Sequence, residues 1–142
     1  MGTWDVGPFD NDTAADWCGD LHDAAPADRV QLVRSALAAV VNRRDIYLDS
    51  DFAVEAIAAA AIVASQLPGG TPITSSYAPD FLLDGNAIEV PDDVPPLALR
   101  ALDRIVGDNS EWRSLWAESP DSYAQVLAAL QPIRNTLEGA IN

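Results

Sequence analysis

Residues 56 to 64 read Ala56-Ile57-Ala58-Ala59-Ala60-Ala61-Ile62-Val63-Ala64, a run in which no side chain carries a polar atom. Alanine is the strongest helix former. Asp49, Ser50 or Asp51 offers a cap upstream, and Pro68-Gly69-Gly70 stops the pattern after about Leu67. A helix that is apolar on every side must be surrounded by other elements. These nine residues fall far short of the roughly 20 that a bilayer requires, so no membrane association is expected. The predicted fold is all-α: about six helices packed around this central one, with its alanines letting neighbours approach closely. Glu55 lies near the start of that helix, where a carboxylate suits the dipole and needs no catalytic role.

The N-terminal stretch is the second strong constraint. Gly2-Thr3-Trp4-Asp5-Val6-Gly7-Pro8-Phe9-Asp10-Asn11-Asp12 combines two aromatics, two glycines, a proline and a helix cap. Unanchored termini are usually poor in large apolar groups, so this one is expected to be folded. Gly7-Pro8 predicts a turn that swings Phe9 back towards Trp4. Asn11 or Asp12 then caps a helix over residues 13 to 21. Ala14, Trp17, Cys18 and Leu21 form its apolar face, while Asp12, Asp16, Asp20 and Asp23 lie on another.

Further helices follow by the same periodicity. Asp28 is expected to cap a second helix with Val30, Val33, Leu37, Val40 and Val41 on its inner face, closed by Asn42-Arg43-Arg44. Ile46, Tyr47 and Leu48 are expected to pack inward. Asp93 with Pro95 and Pro96 opens a fourth helix carrying Ala98, Ala101, Leu102, Ile105 and Val106, ended by Gly107. Asn109 or Ser110 caps a short fifth helix with Trp112, Leu115 and Trp116. Ser119-Pro120 begins a sixth, whose inner register runs through Tyr123, Val126, Leu127, Leu130, Ile133, Leu137 and Ile141. Pro132 is expected to kink or locally break that helix. Residues 69 to 96 form one long irregular region, with a small hairpin predicted over residues 81 to 90 around Asp84-Gly85-Asn86. If the chain has a binding site, that region is where it is expected.

The chain has 142 residues, enough for one helical domain with its own core. A single cysteine excludes an internal disulfide, and with one histidine it cannot build a structural zinc site from the usual ligands. No secretory pattern opens the chain, so the cytoplasm is the expected compartment. The net charge of −14 argues against direct binding to nucleic acid, whose phosphates repel it. All eight basic residues are arginines, and alanine is abundant, which is the mark of G+C-rich coding, so the acidity is read first as a trait of the host's proteome rather than of a function. The sharper reading is a negative surface for a basic partner.

No catalytic signature emerges. Cys18 and His22 stand four apart on one helix, the spacing of a nucleophile and its base, yet Cys18 falls on the apolar face, where a buried thiol is inert. Asp10-Asn11-Asp12 begins like a calcium loop, but Ala15 holds the glycine position and Leu21 the closing-glutamate position. No metal and no cofactor is therefore expected. Trp17, Trp112 and Trp116 read as core, whereas Trp4, Phe9, Tyr77 and Phe81 form the candidate binding neighbourhood.

The motif Gly2-x-Trp4-x-x-Gly7-Pro8-Phe9-x-Asn11-Asp12-x-Ala14-x-Asp16-Trp17 resembles the opening signature of a bacterial family, common in actinobacteria, known as domain of unknown function 4259. Similar stretches occur in the Ala-rich helix, at Tyr77-Ala78-Pro79, at Ala101-Leu102-Asp103-Arg104 and at Leu115-Trp116-x-Glu118-Ser119. The resemblance implies a bacterial, intracellular, single-domain protein and carries no activity or catalytic residue with it. The function expected is a small acidic protein-binding module of inhibitor, immunity or regulatory type, since electrostatics would speed its association with a basic target. The alternatives are a hydrolase or metal-assisted enzyme with a carboxylate-based site, and a structural or stress-related protein.

Overall fold

The computed structural model describes residues 7–9, 11–43, 46–70, 73 and 88–141. Among these the elements are six helices: α1 (Asp12–Asp23), α2 (Pro26–Val41), α3 (Ser50–Ser65), α4 (Val94–Val106), α5 (Glu111–Ala117) and α6 (Pro120–Ile141). They contain no strand; an isolated bridge joins Leu48 to Ser110. The expected hairpin lies outside the described residues up to Ala87, and its remaining part, residues 88–90, is in no strand.

Helix α3 is the centre. Its Asp49 N-cap accepts a bond from the Asp51 amide at 2.8 Å, and every side chain from Ala56 to Ala64 is buried. α1, α2, α4, α5 and α6 all pack against it. Only a helix of small and aliphatic residues tolerates neighbours on all sides, since close backbone approach leaves no room for a polar head group. The helix ends at Ser65, and the chain then turns through Gly69, which lies in the left-handed region at φ 82°. A Cβ at Gly70 would collide with the Ala64 carbonyl, so the turn must be glycine.

The surrounding helices turn their predicted faces inward. Val33, Leu37 and Val40 of α2 are buried, as are Ala98, Ala101, Leu102 and Ile105 of α4 and Val126, Leu130 and Leu137 of α6. Trp112 of α5 is buried too, with the Trp116 and Tyr123 rings 6.3 and 6.4 Å from it in tilted and edge-on geometry.

Three local expectations are corrected. α2 begins at Pro26 with Ala25 as an N-cap that makes no side-chain bond, so Asp28 sits in the first turn and does not cap. Proline at the first helical position supplies the helical φ without needing an N–H partner. Of the two outcomes expected at Pro132, the local break is absent, since α6 runs continuously from Pro120 to Ile141. Pro132 and Ala128 are both exposed, so the carbonyl that loses its i+4 donor is left on the solvent side. Finally, Ile141 is half exposed rather than packed.

Candidate functional site

The N-terminal hook is built from its described part outward. Gly7 and Pro8 lie in the turn and are half buried, and Phe9 is 4% exposed in the main apolar cluster. Asn11 caps α1 by accepting the Ala14 amide at 2.7 Å. Ala14, Cys18 and Leu21 of α1 are buried, and Trp17 is half buried against the same cluster. Gly2, Trp4, Tyr77 and Phe81 lie outside the described residues. Phe9 is thus an apolar anchor in the core, two residues ahead of the Asn11 cap of α1.

With its inner face committed, α1 presents Asp12, Asp16, Asp20 and Asp23 to solvent, and among the described residues none of the four is in an ion pair. Five of the described arginines have contacts away from these four carboxylates. Arg29 donates to the Leu21 and His22 carbonyls at the end of α1, at 3.2 and 2.9 Å. Arg43 donates to the Ala39 carbonyl at 2.8 Å and lies 3.9 Å over the Phe52 ring. Arg34, Arg113 and Arg134 pair with Asp93, Asp108 and Asp103. The acidic face continues onto α3, where the Thr13 hydroxyl donates to Asp51 at 3.3 Å. Burial, helped by the charges of Asp51 and Asp20, holds the Glu55 carboxyl above its usual range. Glu55 lies beyond the first turn of α3, so desolvation and like charge outweigh the dipole there.

Catalytic chemistry at Cys18 finds no support in this setting. Burial pushes its thiol up to about 12, which leaves it protonated at neutral pH, and only the thiolate is a nucleophile. His22 is half buried on the same helix. Among the described residues no group of three or more His, Cys, Asp or Glu side chains is placed to hold a metal ion.

The connection from α2 to α3 forms a second distinctive surface. Leu48 is buried, but Ile46 and Tyr47, expected to pack inward, are 58% and 52% exposed. The reason is the bridge to the α4–α5 turn: the Leu48 amide donates to the Asn109 carbonyl at 3.0 Å, and the Glu111 amide donates to the Leu48 carbonyl at 2.9 Å. Both backbone groups of Leu48 are taken, so its side chain alone faces the core. The Glu111 carboxylate accepts the Ser50 amide at 2.8 Å, and that bond holds its pKa below the usual range. Arg104 ties the region together through carbonyls. Nη2 donates to Ile46, Asn109 and Arg43 at 2.9, 3.1 and 3.2 Å, and Nη1 donates to Asp108 at 3.0 Å.

The model of the family described as domain of unknown function (DUF4259) matches residues 2–129 of this chain. The chain belongs to that family. No curated protein and no solved structure matches it. The DUF4259 match runs from the hook through the first half of α6; beyond it, Leu130 and Leu137 are still buried. Two of the resembling stretches take on physical roles. Asn11 in the opening motif is the cap of α1, and Arg104 in Ala101-Leu102-Asp103-Arg104 is the tie between α2, α4 and the turn before α5. The role of Arg104 was missed from sequence because its Arg43 partner lies 61 residues upstream. An arginine ending an apolar helix near glycine was the available signal, since cations suit that end.

Proposed function

We propose that this DUF4259 protein is a protein-binding module that offers the outer face of α1 to a basic partner. The supporting observation is the position of Asp20 and Asp23. Both are exposed at the C-terminal end of α1, where the helix dipole opposes negative charge by about 0.3–1 kcal/mol each. Asp20 also adds to the repulsion felt by Glu55. Folding alone gains nothing from these two aspartates, whereas a basic target would be steered and held by them. The same field repels nucleic acid. Inhibitors or immunity proteins acting on basic enzymes are the concrete form of this reading.

The test is a pull-down from host lysate with the tagged full chain, read by mass spectrometry at low and high salt. A variant carrying Asp16→Asn, Asp20→Asn and Asp23→Asn runs in parallel. A basic partner retained only at low salt and only by the wild type supports the reading. A clean lane, or a partner indifferent to both salt and variant, overturns it.

One observation favours a second reading, a carboxylate-based hydrolase. The raised Glu55 carboxyl beside Asp51 and Asp20 is a trait that acid catalysts share. A thermal-shift screen comparing wild type with Glu55→Gln against divalent ions and metabolites tests it, and a ligand that shifts only the wild type would favour this alternative.

A further inference from the structure

The strongest unabsorbed feature lies away from the acidic face, in residues 46–49. Of these four only Leu48 is buried; Ile46, Tyr47 and Asp49 are exposed. Asp49 belongs to α3 as its cap, and the backbone bonds that hold residues 46–48 end on a short stretch around the α4–α5 turn. Arg104 takes the Ile46 carbonyl, Asn109 takes the Leu48 amide, and the Glu111 amide takes the Leu48 carbonyl. Arg104 also takes the Arg43 carbonyl at the end of α2 and the Asn109 carbonyl itself. The guanidinium is well suited to this, because its planar fork donates to several oxygens at once and is always charged. The Asn109 carbonyl is aimed by a left-handed backbone, φ 62°, a conformation that asparagine tolerates better than most residues. One side chain and one turn thus hold the backbone of residues 46–48, of which Leu48 alone reaches the core. Segments of that kind open locally at free energies well below global unfolding.

We propose that residues 46–48 are a latched strap, held shut by Arg104 and the Asn109 carbonyl, which opens as a unit and turns Leu48 out beside Ile46 and Tyr47. Closed, the strap shows two apolar side chains and hides the third. Open, it presents a continuous apolar tripeptide while α2 and α3 remain folded. The device is independent of the α1 acidic face, and its test does not depend on any partner.

Native-state hydrogen exchange on the full chain, followed across sub-denaturing urea, tests it. The Leu48 and Glu111 amides should exchange together, faster than amides of residues 58–62 in α3 and with little urea dependence. Arg104→Lys keeps the charge but loses the fork. It should speed exchange at those two amides roughly tenfold or more, as loss of a charged hydrogen bond implies, and leave the α3 amides unchanged. Two results would overturn the strap: strap amides exchanging at the α3 rate with the α3 urea slope, or Arg104→Lys leaving their exchange unaltered. The wild-type urea series decides the matter by itself if Arg104→Lys does not fold.

Discussion

Ala60→Leu places three extra carbons at the most enclosed point of the molecule. Ala60 is fully buried, as are its neighbours from Ala56 to Ala64, and five helices surround α3. On a face with spare volume, the added methylenes would contribute about 0.8 kcal/mol each. Here they have no free face to enter, so either α3 shifts or a neighbouring helix is pushed out, at about 1–3 kcal/mol. A chain of 142 residues unfolds with an entropy near 0.3 kcal/mol/K, so the melting temperature should fall by roughly 3–10 °C. Circular dichroism melts and urea titrations, with an unchanged urea slope, are the assay. Ala124→Leu, on the exposed side of α6, is the control and should stay within about 0.5 kcal/mol of wild type. An Ala60→Leu protein that melts at or above the wild-type temperature would show that α3 has a free face and that the central-helix argument is wrong.

Two further substitutions test other parts. Asn109→Ala should cost about 1 kcal/mol for the left-handed backbone, while Asn109→Gly should be near neutral; equal urea midpoints for Asn109→Ala and wild type would refute the role given to φ 62°. For Glu55 the folded pKa is raised, so its protonated form is favoured by folding. That contribution is fully present below the ordinary value of 4.5 and is lost as pH rises through the raised pKa, leaving an ionised Glu55 that opposes folding at neutral pH. Glu55→Gln should therefore stabilise the protein at pH 7 and lose that advantage below about pH 4.5, as read from urea midpoints across pH; an advantage constant with pH would exclude the electrostatic cause.

Much of the architecture was readable from local signals that the tertiary structure left intact. Asn11, Asp49 and Ser110 each cap the helix expected of them, because the cap bond joins residues only two or three apart. The uniform burial of α3 followed from its composition alone. The α2–α3 connection was not legible. Ile46, Tyr47 and Leu48 are equally apolar, a three-residue run has no usable period, and what separates them is a bridge to Ser110 far along the chain. Of the candidate binding residues, Phe9 reads equally well as anchor or ligand contact from sequence, and its burial favours the anchor. The acidic face of α1 was legible as a pattern, but its cost to the fold became visible only once Asp20 was placed near Glu55.

Cys18 gives the molecule a built-in reporter. It is the chain's single thiol, it lies on the inner face of α1, and at neutral pH it is protonated as well as shielded. A thiol reagent added to the native protein can therefore react only with molecules in which α1 has lifted from the core. The labelled fraction counts those openings directly, with no engineered cysteine and no competing site. A partner seated on the outer face of α1 would slow that clock, so protection of a residue it never touches would register its arrival.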